Sequence, residues 1–378
     1  MPWVVSGKSA GALAAQAERL AGAVAGAGVP VAGVGWSLVS GRSVFRHRAV
    51  VVGQDGDGLL AGVRALAAGQ PDAADAAGAV GVVSGVADVS GRRVFVFPGQ
   101  GSQWVGMAEG LLESSPVFAS RLAECAAVLE PLVGWSLLDV VRGVEGAASL
   151  ERVDVVQPVL WAVMVSLAEV WRSAGVEPDA VVGHSQGEIA AAVVGGWLSL
   201  ADGARVVALR SRVIGEVLAG GGGMLAVQAS VEEVEVWLEG VAGVGVAAVN
   251  GPRSVVLSGT REGLEACATA WSSRGVWVKW VPVDYASHSE QVEGVRERIL
   301  ADLAGVVPLS GGVPMLSTMS GEWVGLEGGG LGAGYWVENL RRPVRFAEAT
   351  RRLAGEGFGA FVEVSAHPVL VMGIEETL

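Results

Sequence analysis

Three kinds of side chain in this sequence could carry out covalent chemistry together: a serine in a glycine turn, histidines downstream of it, and an arginine set among apolar residues. Residues 183–188 read Gly183-His184-Ser185-Gln186-Gly187-Glu188, which contains Gly-x-Ser-x-Gly. A short apolar run ending at Val182 precedes the motif, and the Ala- and Val-rich stretch Glu188–Trp197 follows it. Strand, tight turn and helix are the context in which this motif forms a nucleophile elbow. Such a turn needs glycine where a Cβ would clash. The helix behind it directs its N-terminus at the serine, where negative charge is favoured. A helix-capping serine in an ordinary turn would read the same way, so the motif alone leaves the chemistry open.

A serine nucleophile needs a base, and the chain has four histidines. His184 adjoins Ser185. His47 lies in a strand-like stretch between Arg46 and Arg48 and reads as a surface residue. His288 closes Asp284-Tyr285-Ala286-Ser287-His288, just before a helix, and His367 stands in Ala366-His367-Pro368. Both follow the serine, an order that serine dyads and triads permit. Arg210 falls on the apolar stripe Gly203, Val206, Val207, Val213, Ile214 and Val217 of one helix, with Arg205, Arg212 and Glu216 on the other side. A charge on a core-facing stripe is costly unless paired. It reads equally as half of an internal salt bridge and as a two-pronged clamp for a substrate carboxylate.

The elements that must position these groups suggest an α/β chain. Arg93–Phe97 reads as a buried strand running into Pro98-Gly99-Gln100-Gly101-Ser102-Gln103. With Trp104 breaking Gly-x-Gly-x-x-Gly and no Gly-Lys-Ser/Thr following, this is no phosphate cradle but a backbone loop at a sheet edge. Val153–Ala174 reads as a long helix, and Ser199 opens the Arg210 helix with a capping-box-like start. Met224–Val283 then gives strand, helix, strand, strand, helix, strand, the order of a ferredoxin-like insert. Glu290–Leu303 and Pro343–Gly355 read as helices, separated by Pro314–Ser317 and a glycine-rich loop reaching Gly334. Ahead of all this, residues 1–92 form a smaller unit. Ser9–Ala25 and Gly58–Ala68 read there as helices, Val34–Leu38 and Ser43–Val52 as strands, and Gly69–Gly91 as a linker.

Composition excludes several classes. Apolar residues make up 51% of the 378, too many for a disordered chain. The longest apolar runs, Val159–Leu167 and Ile189–Leu198, are short for a membrane span, and the start lacks the plan of a secretory signal. Cys125 and Cys267 make no disulfide framework, which suits a reducing cytoplasm. The histidines and cysteines show no metal-ligand spacing. A net charge of −13 argues against nucleic acid. Arg341, Arg342 and Arg345 form a local basic cluster, read as a solvated face, with docking of an acidic partner the minor reading.

Three stretches together resemble one known family. They are Phe95-Val96-Phe97-Pro98-Gly99-Gln100-Gly101-Ser102-Gln103-Trp104, the Ser185 motif, and Asp284-Tyr285-Ala286-Ser287-His288-Ser289. They look like the signatures of acyltransferase domains of modular type I polyketide synthases, relatives of malonyl-CoA:acyl carrier protein transacylases. Trp3-Val4-Val5-Ser6-Gly7 and Phe45-Arg46-His47-Arg48-Ala49 resemble the linker domain between ketosynthase and acyltransferase. The resemblance implies a linker domain over 1–92 and a hydrolase-like large subdomain with a parallel sheet over 93–221 and 287–378. A ferredoxin-like small subdomain would occupy 222–286.

It also implies roles. Ser185 would be acylated, with His288 as its general base, oriented by the backbone carbonyl of Asn339. The oxyanion hole would be the N–H groups of Gln100 and Gln186. Arg210 would bind the acyl carboxylate, which favours the clamp over the salt bridge. Gln186, Tyr285 and Ser287 would set substrate selectivity, with His184 and Asn250 nearby. Gln186, Tyr285-Ala286-Ser287-His288 and Arg152-Val153-Asp154-Val155-Val156-Gln157-Pro158 resemble the version that selects methylmalonyl; ethylmalonyl and malonyl are the alternatives. The implied reaction moves the acyl group from coenzyme A to Ser185, then to the phosphopantetheine thiol of an acyl carrier protein, with no metal or tightly bound cofactor. The ketosynthase would be a neighbour on the same polypeptide. Two other classes share features with the chain: a serine esterase or thioesterase, and a non-catalytic scaffold.

Overall fold

The computed structural model describes residues 2–70, 80–325 and 330–378. The chain forms two compact units, Met1–Ser90 and Gly91–Leu378. In the first, β1 (Pro2–Gly7) pairs antiparallel with β2 (His47–Gly53), which pairs antiparallel with β3 (Val80–Val86). Helices Ala10–Val24 and Gly56–Ala67 are capped by Ser9 and Asp55, whose side chains accept from Ala12 N and Gly58 N. Trp3, Leu13, Val51, Leu59 and Val63 fill the core.

Two expectations fail in this unit. Val34–Leu38 is not a strand but lies inside the helix Val31–Ser40. Val31, Val34 and Leu38 recur at helical spacing and pack on the core, while Trp36 and Val39 face outward. The Trp3 indole donates to the Val31 carbonyl at 3.1 Å and ties the helix down. The expected linker Gly69–Gly91 contains β3, whose glycines at 81 and 85 dilute the strand pattern; residues 71–79 lie outside the described residues.

In the second unit, β4 (Arg92–Phe97), β5 (Ala180–Gly183), β10 (Met315–Leu316) and β11 (Phe358–Glu363) form a parallel sheet in the order β10-β5-β4-β11. Its inner strands are apolar on both faces, as a covered parallel sheet requires. The helix Val153–Ser173 is long and apolar enough to cross a membrane, yet 78% of its most apolar window is buried inside the fold, so it is the core helix.

The insert consists of β6 (Gly223–Val227), β7 (Val244–Gly251), β8 (Ser254–Gly259) and β9 (Val278–Trp280), antiparallel in the order β7-β8-β6-β9. Helices Val231–Trp237 and Arg261–Ser272 cover one face, which is a ferredoxin-like arrangement. β7 is anchored to the rest of the unit where Val344 N–H donates to Ala247 O at 2.8 Å and Val249 N–H to Val344 O at 2.9 Å.

The Arg210 helix, Leu200–Val213, is capped by Ser199 and runs into a π turn at Ile214–Leu218. The wider turn breaks the stripe, and Val217, expected inward, is exposed. Glu290–Leu303, expected as one helix, begins as a 3₁₀ segment, Glu290–Val295, before Arg296–Asp302. The basic cluster is spoken for: Arg341 pairs with Glu293, Arg342 with Glu338 and Arg345 with Glu348.

Candidate active site

Ser185 follows β5 at the carboxyl edge of the parallel sheet, where α/β folds place their sites. Its φ is 54°, and that of His288 is 59°; no other described non-glycine residue has positive φ. Left-handed backbone is rare outside glycine and persists only where the surroundings impose it. The surroundings here are very close. A Cβ on Gly183 would lie 2.2 Å from Glu188 N, and one on Gly187 2.0 Å from the Phe97 carbonyl oxygen. Both motif glycines are therefore needed for backbone approach, which clamps the elbow against the end of β4.

Ser185 Oγ and His288 Nε2 stand 2.8 Å apart. His288 Nδ1 lies 2.7 Å from the Arg342 carbonyl, which can only accept, so Nδ1 carries the proton and Nε2 is free to take one from the serine. This corrects the expectation for Asn339: its carbonyl sits inside the helix Ala333–Arg341, and the orienting carbonyl belongs to Arg342. Pro343 explains the choice. A residue before proline is driven out of the helical region, and Arg342 has ψ 155°. Its carbonyl thus turns off the helix and onto the imidazole. The preceding orphan carbonyl, Leu340, accepts from His288 N–H at 2.8 Å. Burial pushes the imidazole pKa down to about 3, so the resting ring is neutral. His367 is exposed and outside this cavity, which leaves His288 as the partner of Ser185.

Gln100, His184, Ser185, Gln186, Asn250, Tyr285, Ser287 and His288 share the lining of one cavity of about 220 Å³. The backbone N–H groups of Gln100 and Gln186 donate to no acceptor among the described residues. The Tyr285 hydroxyl donates to Gln100 Oε1 at 2.9 Å and strings that loop to the insert side of the cavity. The Gln186 side chain is buried, and neither end of its amide has a partner among the described residues. His184 Nε2 lies 2.7 Å from Asn250 Oδ1, so β7 holds the histidine next to the nucleophile, with its ring against Phe346.

Arg210 is 1% exposed and is not among the residues that line this cavity. No described carboxylate forms an ion pair with it. Nη1 donates to Asn339 Oδ1 at 2.6 Å, while Nε has no partner among the described residues. Burial lowers its pKa to about 10, which leaves it charged. A buried guanidinium with unmet donors is costly, and a ligand carboxylate would meet that need.

Sequence reasoning named Asn339 for the wrong atom and passed over Glu188, Thr318 and Tyr335. Asn339 Nδ2 donates to Glu188 Oε2 at 3.0 Å, and Thr318 N–H to Glu188 Oε1 at 2.6 Å. The Thr318 and Tyr335 hydroxyls also reach this carboxyl. Burial pushes the Glu188 pKa up, and the hydrogen bonds from Tyr335 and Thr318 pull it back. Asn339 Nδ2 and Thr318 N–H can only donate, one to each carboxyl oxygen, which suits the carboxylate. The available signal was a lone acidic residue ahead of the apolar run Ile189–Leu198.

A strained serine on a parallel-sheet elbow, with a neutral imidazole in contact and backbone N–H groups unpartnered among the described residues, is an α/β arrangement that can support acyl chemistry on a serine. Residues 94–378 match the family model described as acyl transferase domain. The whole chain is 52% identical to part of the polyketide synthase GfsE of Streptomyces halstedii, covering 10% of that protein. It superposes over its full length on the acyltransferase domain from module 8 of the salinomycin polyketide synthase, with TM-score 0.93, 51% identity and 87% of that chain covered. A malonyl CoA-acyl carrier protein transacylase from Coxiella burnetii matches 76% of the chain and 92% of its own length, with TM-score 0.68 and 26% identity. The chain belongs to the acyl transferase domain family, in the branch found in modular polyketide synthases. It spans about a tenth of the length of the curated relatives it matches.

Proposed function

We propose that this acyltransferase domain takes methylmalonyl from coenzyme A onto Ser185 and passes it to the phosphopantetheine thiol of an acyl carrier protein. The observation that carries the reading is the Ser185–His288 contact of 2.8 Å on a strained elbow, together with the buried, partly unpartnered Arg210. His288 Nε2 accepts the Ser185 proton as Oγ attacks the thioester carbonyl. The developing oxyanion is met by the N–H groups of Gln100 and Gln186. The C–S bond breaks, and His288 returns its proton to the departing coenzyme A thiolate. The carrier thiol then gives its proton to His288 and attacks the acyl-serine, and the proton returns to Ser185 Oγ. Arg210 holds the α-carboxylate by charge-assisted hydrogen bonds. The chemistry needs only these side chains and the two thiols, without a metal or bound cofactor. The carrier protein and a ketosynthase on the same polypeptide are the partners, with residues 1–92 linking to the latter. A reducing cytoplasm suits the two free, buried cysteines.

Methylmalonyl is favoured by small Ser287 beside His288 in the cavity lining. A phenylalanine there would fill the space of an α-methyl group. One methyl in an apolar pocket discriminates by only about 10- to 200-fold, so malonyl should be disfavoured but used. The test is kcat/KM for malonyl-, methylmalonyl- and ethylmalonyl-CoA with one carrier protein, for the parent and for Ser287→Phe with Tyr285→His. Preference for methylmalonyl that moves to malonyl in the double variant is the expected result. A parent that prefers malonyl or ethylmalonyl sinks the selectivity reading. Rapid hydrolysis without a carrier, in place of a lasting acyl-Ser185 adduct by intact-protein mass spectrometry, would make the chain an esterase.

A further inference from the structure

Arg210 lies in the interior without a described carboxylate paired to it, yet its position is fixed at one point, the side-chain amide of Asn339. That amide has two ends. Oδ1 must face Arg210, because a guanidinium only donates. Nδ2 then faces Glu188 Oε2, 3.0 Å away, and needs an acceptor there. The Ser185 carbonyl, at 3.4 Å from Nδ2, is too far to hold it alone. Thr318 N–H holds the other carboxylate oxygen, Oε1, while the Tyr335 hydroxyl shares Oε2 with Asn339. Thr318 Oγ1 also reaches the Gly183 carbonyl at 2.8 Å, so the carboxylate is fixed relative to the elbow. Glu188 is fully buried, and a buried carboxylate is kept in a fold only where it has work to do or partners to satisfy.

We propose that Glu188 is a positioning residue for Arg210: through the Asn339 amide it sets the guanidinium that receives the acyl carboxylate, and so the preference for carboxylated donors. This rests on the reading of Arg210 as the carboxylate partner. Glu188→Gln keeps the shape and loses one acceptor. The substituted amide, accepting from Thr318 through its oxygen, presents its NH₂ to Asn339. The Asn339 amide is then driven to flip and aim its own NH₂ at Arg210. Glu188→Gln combined with Asn339→Asp moves the negative charge next to the guanidinium. The carboxylate introduced at 339 accepts from the substituted amide on one side and from Arg210 on the other, restoring the chain of hydrogen bonds.

The experiment measures acylation of Ser185 by methylmalonyl-CoA and by propionyl-CoA, with kcat and KM separated, in the full chain. Loss of a charge-assisted hydrogen bond predicts that Glu188→Gln lowers kcat/KM for methylmalonyl-CoA by about 10- to 100-fold, mainly through KM, and leaves propionyl-CoA within about threefold. Asn339→Ala should do the same, and the double variant should recover most of the loss. Equal loss for both donors, or a double variant no better than Glu188→Gln, overturns the proposal. Should Glu188→Gln not fold, an unchanged donor ratio in Asn339→Ala overturns it instead. Arg210→Ala separates the two levels. If it leaves the donor ratio unchanged, the reading of Arg210 fails; if it collapses the ratio while Glu188→Gln does not, only the positioning role is wrong.

Discussion

Replacing Tyr285 by phenylalanine separates two jobs that the same side chain could do. Tyr285 is buried in the cavity wall, and its hydroxyl donates to Gln100 Oε1 at 2.9 Å, with Gln157 Nε2 3.4 Å from the same hydroxyl. Gln100 brings the loop whose N–H faces the developing oxyanion in the proposed mechanism. The hydroxyl therefore steadies a transition-state donor rather than touching the acyl group. One neutral hydrogen bond is worth about 0.5–1.5 kcal/mol net, or about 2- to 13-fold in rate. Losing an oxyanion donor outright costs about 10²- to 10³-fold. Because Tyr285→Phe leaves the N–H in place on a looser loop, the smaller range applies. It should fall on kcat for acylation, and equally for malonyl-CoA and methylmalonyl-CoA, since the ring that shapes the pocket remains. Rapid-quench single-turnover acylation, read by intact-protein mass spectrometry with each donor, measures both. A change in the malonyl to methylmalonyl ratio at unchanged rate would refute the reasoning and assign the hydroxyl to substrate selection. A loss near the 10³-fold end of the oxyanion range would mean that it contacts the reacting atoms.

Gly187→Ala should abolish acyl-enzyme formation, because its Cβ would lie 2.0 Å from the Phe97 carbonyl and must push the elbow off β4; a variant that still labels at Ser185 at the parent rate rules out that packing argument. The pH profile carries a sign. His288 reacts as the neutral imidazole, and burial lowers its pKa from 6.5 to about 3, so activity is present above the folded value and lost only as pH falls through it. With propionyl-CoA, which has no carboxylate to titrate, kcat/KM should stay level through 6.5, and an inflection at 6.5 would place the ring in water. Stability follows the same direction: the unfolded imidazole binds a proton below 6.5 that the folded one refuses, so stability is full above 6.5 and declines toward pH 3, as denaturant titrations across that window will show.

What could be read from the sequence and what could not divide along a physical line. Ser185 and His288 were legible as a pair that the structure brings to 2.8 Å, Arg210 as a charge on a buried stripe, and Gly183 and Gly187 as points of close approach that admit no other residue. The insert was visible because its six elements are local patterns in sequence order. Val34–Leu38 was misread because Val, Trp and Leu also suit a strand, and only packing on Trp3 decides for a helix. The partners of Glu188 are 130 residues away at Thr318 and 147 at Tyr335, a proximity that no local pattern encodes. Positive φ at Ser185 and His288 left no mark either, since both residue types are ordinary in loops. The carbonyl that orients His288 is a different case. A backbone atom has no residue type to recognise, so the expectation settled on Asn339, three residues early. Yet the determinant was in plain view. Pro343 forces Arg342 out of the helix, and the one carbonyl it turns aside is the one that meets Nδ1. For a backbone-oriented dyad the informative residue is thus the proline that aims the carbonyl, not the residue that owns it.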